Sequence, residues 1–293
     1  MPVRARIPRD LRLFPFRGSD VVQRGLLTQS ALRGPAWRRL MSDVYIRAEI
    51  EMTYRLWCYA AAIYGAPRGA ICGLSAAFLH GVEVLGASEG PVELLLPTEV
   101  RRASVPMVRI VRSPIGRGDV VIESGVRVTS PNRTAFDLAR RLPQVDAVTA
   151  IDALCFHRVA SLPDLVAFAQ AHPGWPGVTR VPPVLDLVEP LSESPMETRL
   201  RLVLIDGGLP RPVAQFEVRD SRFIGRLDLA YPAWRIGIEY DGDQHRNPEA
   251  FAADLTRQNR LRAAGWTILR FTARDVYRKP DQICATVRAT IPA

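Results

Sequence analysis

Glu239, Asp241 and Asp228 are the residues of this 293-residue chain whose types and spacing point most directly to chemistry. The first two stand in Arg235-Ile-Gly-Ile-Glu-Tyr-Asp-Gly-Asp-Gln-His245, which otherwise reads as an apolar strand. Trp234, Ile236, Ile238 and Tyr240 alternate, so a period of two places them on one face and Glu239 and Asp241 on the other. Two like charges ~4–6 Å apart repel by a few kcal/mol at an effective dielectric of ~20. A cation set between them turns that repulsion into affinity. Asp228 lies on the preceding strand, in Gly225-Arg-Leu-Asp-Leu-Ala-Tyr231, and the short Tyr231-Pro-Ala233 connection brings it alongside. Together the three carboxylates suggest a metal site.

The elements that must hold them are legible around the motif. Ser194-Pro195-Met196-Glu197 reads as a capping box with proline at the first helical position. Met196, Leu200, Val203 and Leu204 form the buried stripe of that helix, and Gly207-Gly208 ends it. Strands are predicted near Val213–Val218, Phe223–Ala230 and Trp234–Tyr240. A helix over about Pro248–Ala264 stops at Gly265. Trp266–Phe271 is a further strand, and a last helix opens near Pro280. The order α-β-β-β-α-β-α makes a compact α/β unit over 191–293. The Pro- and Gly-rich stretch from Gly174 to Pro190 predicts a boundary near Leu191.

Residues 1–190 predict a mixed α/β domain. Leu26–Leu32 suggests one short helix, and Trp37–Leu40 with Val44–Ile46 a small hairpin, the outline of a truncated winged-helix segment over about 20–48. Further helices are predicted over Ile50–Tyr64, Leu74–His80, Asn132–Arg141 and Val145–Phe156, with strands near Val92–Leu96 and Met107–Val111.

Composition narrows the function classes. Apolar content of 47% and charged content of 24% suit a globular chain. No apolar run approaches the ~18–20 residues that cross a bilayer, which predicts no membrane partner. The first residues lack the apolar core of a secretory signal. Cys58, Cys72, Cys155 and Cys284 are widely spaced, which suits small buried hydrophobes in a reduced cytoplasm rather than a zinc ribbon. The net charge is +9 and uneven: residues 1–50 carry ten arginines against four acids, and Asp254 onward carries eight bases against three acids. Two basic regions suit a phosphate backbone and predict DNA as a partner. An arginine-favouring, GC-rich genome explains the same charge without DNA, since Lys279 is the single lysine.

Over about Leu191–Ala293 the chain resembles the very-short-patch-repair (Vsr)-like branch of the PD-(D/E)xK nuclease superfamily. The match lies in Asp228, Glu239-Tyr-Asp-Gly242, His245, Asp254, Arg257, Gly265-Trp266 and Arg270. The resemblance implies a restriction-endonuclease-like core and metal-dependent hydrolysis of DNA phosphodiesters. A hard divalent cation, Mg²⁺ or Mn²⁺, positions a hydroxide and neutralises the phosphate in such chemistry. Asp228 and Glu239 would be its ligands, with the Tyr240 carbonyl a third. His245 would serve as general acid or base or as a water-positioning group. Arg257 and Arg260 would grip phosphate oxygens, with Arg270 beside them. The superfamily's signature lysine is replaced by Asp241, which binds metal, holds a water or orients His245.

Each residue also has a plainer reading. Glu197 resembles the helix-borne acid that some members point at the metal, and it is equally the third residue of a capping box. Asp241-Gly242 is a good turn dipeptide. Asp254 and Arg257, three apart on a helix, make an ordinary surface ion pair. Asp228 and Glu239 together resist such a reading, since no simple fold role wants acids in two adjacent apolar strands.

Leu74-Ser-Ala-Ala-Phe-Leu-His-Gly81 and Val128-Thr-Ser-Pro-Asn-Arg-Thr-Ala-Phe-Asp137 resemble the AbiEi-type antitoxin family over about residues 20–160. That resemblance implies a toxin partner. It also frames the alternative to a nuclease, a non-catalytic DNA-binding, antitoxin-like transcriptional regulator that uses a nuclease fold as a platform.

Overall fold

The computed structural model describes residues 11–103, 105–220, 222–242 and 248–292. The chain divides into two compact units, 1–138 and 139–293. Among the described residues no helix is long and apolar enough to cross a membrane, and all four cysteines are buried and form no disulfide.

The first unit opens with β1 (Phe16–Arg17), α1 (Gly18–Gln23), α2 (Gln29–Leu32), β2 (Trp37–Met41) and β3 (Val44–Arg47). The three strands form one antiparallel sheet in the order β1-β3-β2. Phe16, Val21, Leu32 and Trp37 pack beneath it. Two short helices therefore precede the hairpin, where the sequence pattern predicts one. α1 follows β1 without a break and its start carries no side-chain cap, so the usual start signal is missing.

The rest of the unit comprises α3 (Tyr54–Gly65), β4 (Ala70–Ile71), α4 (Gly73–Leu79), β5 (Val92–Leu96), β6 (Val108–Arg112), β7 (Val120–Glu123), β8 (Val126–Thr129) and α5 (Pro131–Arg141), whose last residues cross into the second unit. Its five strands form a mixed sheet, β6-β5-β4-β8-β7. The Ser-Pro-Asn-Arg-Thr-Ala-Phe-Asp motif has a structural task there. Arg133 is fully buried and donates to Asp137 (2.9 Å), Asp119 (2.5 Å), Pro114 O (3.0 Å) and Ser113 (3.1 Å). A buried guanidinium is tolerable only when its donors are satisfied in this way.

The second unit begins with α6 (Gln144–Phe156), α7 (Leu162–Gln170) and α8 (Val181–Leu185). It continues through α9 (Pro195–Asp206), β9 (Val213–Arg219), β10 (Phe223–Tyr231), β11 (Ile236–Tyr240), α10 (Pro248–Ala263), β12 (Thr267–Phe271), α11 (Ala273–Arg278) and α12 (Pro280–Thr290). The second compact unit thus includes the three helices that precede the boundary expected near Leu191. α6 is locked to α9 by a buried pair, Arg201 Nη2 to Asp152 Oδ2 at 2.7 Å, which ties the preceding helices to the C-terminal sheet.

That sheet runs β12-β11-β10-β9, with β11 and β12 parallel and the other pairs antiparallel. Leu200, Leu204, Val276, Ile283 and Val287 of α9, α11 and α12 pack with Leu229, Ile236 and Ile238. Leu261 of α10 joins Trp266 and Leu227 in a second cluster. Period two on β11 holds from Ile236 to Tyr240. Trp234 departs from it, sitting in a 3₁₀ turn that Arg235 leaves with a left-handed φ of 50°. α11 adds one helix to the expected order, started by a capping box between Thr272 and Asp275.

Candidate active site

Register sets the site. Leu229 pairs with Ile238 across β10 and β11, so Asp228 and Glu239 follow on neighbouring strands. The Tyr240 N–H donates to Asp228 Oδ2 at 2.9 Å, fixing that carboxylate against the end of β11. In the parallel pair β11–β12, Glu239 faces Arg270. α10 crosses above and contributes Asp254 and Arg257. With Arg226, Tyr240 and Asp241 these residues line an open cleft of about 350 Å³.

Inside it a four-membered charge cluster forms. Arg257 Nη1 and Nη2 donate to Glu239 Oε1 (2.8 Å) and Oε2 (3.0 Å). Arg270 Nε donates to the same Oε2 at 3.1 Å, and its two terminal nitrogens clasp Asp254 at 2.9 Å each. Arg257 Nη2 also reaches Asp254 Oδ1 at 3.2 Å. Hydrogen bonds from Arg270 first, then from Arg257, hold the Asp254 carboxyl down at about 2. Against burial, the contacts to Glu239 and then Asp254 raise Arg257, and the hydrogen bonds to Asp254 raise Arg270.

Asp228 has the opposite environment. Burial first, then the charges of Glu197 and Glu239, push its carboxyl up to about 6 against the Tyr240 hydrogen bond. Among the described residues no donor is paired with its Oδ1.

Glu197 is buried near Asp228 but has structural partners of its own. Ser194 Oγ donates to Oε1 (2.8 Å), while Glu193 N (3.0 Å) and Gln215 Nε2 (2.8 Å) donate to Oε2. It serves the start of α9 and adds negative charge beside Asp228.

The donor chemistry fits a hard divalent cation: carboxylate oxygens, one of them unpaired among the described residues, crowded by like charge. Each oxygen of Glu239 has more than one acceptor direction, so its arginine bonds leave coordination capacity. Among the described residues no group of three or more His, Cys, Asp or Glu forms a ready metal cage. A two-carboxylate site completed by waters is the form Mg²⁺ commonly takes.

Of the residues singled out from sequence, Asp228, Glu239, Tyr240, Asp241, Arg257 and Arg270 converge on this cleft. Arg260 does not. It lines a separate hollow with Asp220, Arg222, Phe223 and Ile224. His245 lies outside the described residues. Asp254 is more than a surface pair, since it braces both arginines. Arg226 also lines the cleft, paired with Glu193 at 2.7 Å. Its spacing of two from Asp228 on a strand was the signal that finds it.

A four-stranded sheet clasped by helices on both faces, with acids on two adjacent strands, defines a restriction-endonuclease-like domain. Residues 214–291 match the family model REase_MTES_1575, and residues 69–173 match the AbiEi antitoxin C-terminal domain. The chain therefore carries both a restriction-endonuclease-like domain and an AbiEi antitoxin C-terminal domain. Two Mycobacterium tuberculosis proteins resemble it, uncharacterized protein MT2308 of strain CDC 1551 / Oshkosh and uncharacterized protein Rv2248 of strain ATCC 25618 / H37Rv. Each is 31% identical over 166 residues, which span 56% of this chain and 61% of the relative's own length. The crystal structure of the RV2827C protein from Mycobacterium tuberculosis is similar at 19% identity and a TM-score of 0.42, over 64% of this chain and 74% of that one.

Proposed function

We propose that the chain is a metal-dependent DNA endonuclease of Vsr-like type, cutting phosphodiesters at the Asp228–Glu239 cleft. The observation that carries this reading is Asp228, a carboxylate with one oxygen unpaired among the described residues, pushed up to about 6 by burial and by Glu197 and Glu239. Asp228 and Glu239 would hold Mg²⁺ or Mn²⁺, with the Tyr240 carbonyl as third ligand. A cation so held supplies Lewis-acid stabilisation and a nucleophilic water at neutral pH. Asp228 accepts charge and orients, Arg257 and Arg270 neutralise the crowded carboxylates, and Asp241 lines the entry. His245 is assigned the acid–base or water-positioning role. The proposed compartment is the cytoplasm, where cysteines stay reduced.

Nicking of supercoiled plasmid by the purified chain with Mg²⁺ or Mn²⁺ tests the assignment. Cleavage is expected to vanish in Asp228→Ala and in Glu239→Ala, and full activity in both would sink it.

One observation favours a second reading. Both oxygens of Glu239 are engaged by guanidinium groups, and an AbiEi antitoxin domain accompanies the nuclease-like one. A non-catalytic, antitoxin-like DNA-binding regulator with a toxin partner accounts for that arrangement. It predicts salt-dependent DNA affinity that chelation leaves unchanged, and no cleavage.

A further inference from the structure

Beside the cleft, on the same unit, lies a second hollow of about 530 Å³ between the β9–β10 hairpin and the end of α10. From it we infer a subsite for one unstacked nucleobase of a bound DNA strand, with Phe223 as the stacking platform and Arg222 and Arg260 as the phosphate grips. The inference rests on the proposed DNA substrate and does not need cleavage.

Phe223 is 51% exposed, an unusual state for a phenyl ring in a strand. The Arg219 guanidinium covers it at 5.5 Å from the ring centroid, so the ring already takes a planar cation on its surface. Arg222 and Arg260 are exposed, and among the described residues neither guanidinium has a carboxylate partner. That separates them from Arg257 and Arg270, whose donors are committed to Glu239 and Asp254. Asp220 is the acid in the lining, and it accepts from the Arg222 backbone N–H at 2.7 Å, tying its charge to the turn. Ile224, Ala263 and Ala264 make an apolar floor. An aromatic face, an apolar floor and free guanidiniums are the chemistry that holds a base and its phosphates without reading sequence. The volume falls within the ~300–1,000 Å³ of ordinary ligand sites.

Position supports the same occupant. β10 carries both Phe223 and Asp228, so the hollow and the cleft are about 17 Å apart along one strand. α10 carries Arg257 into the cleft and Arg260, one turn later, into the hollow. A strand whose phosphate sits at the cleft thus reaches the hollow within a few nucleotides.

The test is fluorescence anisotropy of a labelled oligothymidine with the full-length chain in EDTA, where no cleavage occurs. Phe223→Ala is expected to weaken binding on the order of tenfold, and Phe223→Trp to retain it. An abasic oligonucleotide should bind the wild type about as weakly as oligothymidine binds Phe223→Ala. Arg222→Gln and Arg260→Gln should each flatten the salt dependence by roughly 0.7. No binding at all, an unchanged constant in Phe223→Ala, or equal affinity for the abasic strand overturns the subsite. Phe223-dependent binding without plasmid nicking would leave the subsite standing and remove the endonuclease reading. Nicking that persists alongside unchanged Phe223→Ala binding would do the reverse. Circular dichroism melts of each variant identify any loss of fold.

Discussion

Arg257 clasps Glu239 with both terminal nitrogens, at 2.8 and 3.0 Å, so the cleft's most buried acid, on β11, is neutralised from α10. The Glu239 side chain is 9% exposed and that of Arg257 28%, between a surface pair and a fully buried one. Arg257→Gln leaves Glu239 with Arg270 alone. We expect a loss of about 1–3 kcal/mol, below the full cost of a broken buried pair because Arg257 is partly solvated. Urea unfolding measures it, and an unchanged midpoint would show that the clasp contributes nothing to the fold.

Asp228 makes the pH dependence run the other way from an ordinary paired carboxylate. Its ordinary value of 3.8 rises to about 6 in the folded chain. The folded state therefore holds more protons than the unfolded state between those values. Its favourable contribution is complete below about 4 and is lost as pH rises through about 6. Asp228→Asn keeps an acceptor for the Tyr240 N–H and carries no charge. It is expected to stabilise the protein by about 1–2 kcal/mol at pH 7 after allowing for solvent screening, and by almost nothing at pH 4. The same variant should lose nicking activity, the usual opposition of stability and function at a site. An equal stability change at both pH values would refute the electrostatic origin.

Gly225 makes room for the stem of Arg257. A Cβ at this position would lie 3.2 Å from both Cγ and Cδ of the arginine. Gly225→Ala asks the flexible stem to shift by a few tenths of an ångström and should be nearly silent. Gly225→Val adds branched bulk that drives the stem off the sheet and pulls the guanidinium from Glu239. The expected result is a loss of stability like that of Arg257→Gln, and no further loss when the two changes are combined. Additive losses in that double-mutant cycle would place the valine's effect elsewhere.

Period two on β11 and the helix-start chemistry at Ser194 made much of the C-terminal unit readable, because both are local signals. Asp228 and Glu239 stood out for the same reason, as acids interrupting apolar alternation. The partners of Glu239 were not readable, since Arg270 faces it only through the parallel register of β11 and β12. Arg260 shared a helix with Arg257, yet three residues further along it lines another hollow. Trp234 fits the alternation but falls before a left-handed Arg235, and a positive φ at arginine has no sequence signature. β4 has two residues, too few for any period to register. The Thr272–Asp275 box that starts α11 was present in the sequence and marks a helix there.

Arg201 bears on where the C-terminal domain begins. Its side chain is wholly buried, with Nη1 on Leu187 O at 2.6 Å and Nη2 on Asp152 Oδ2 at 2.7 Å. Asp152 also accepts from Thr198 Oγ1 (2.8 Å) and Glu189 N (2.7 Å). Burial holds both members away from their charged forms, lowering Arg201 and raising Asp152, so each depends on the other to stay ionised. A fragment of residues 191–293 contains every strand of the nuclease-like sheet but loses Asp152 and Leu187. It would strand a buried guanidinium, at about 3–5 kcal/mol, a large share of a small domain's stability. We expect residues 139–293 to unfold cooperatively in urea and 191–293 to show no cooperative transition. Arg201→Met should restore part of the shorter fragment's stability, because it removes the charge while keeping the volume. Equal stability of the two fragments would mean that the helices before Leu191 are dispensable to the nuclease-like fold.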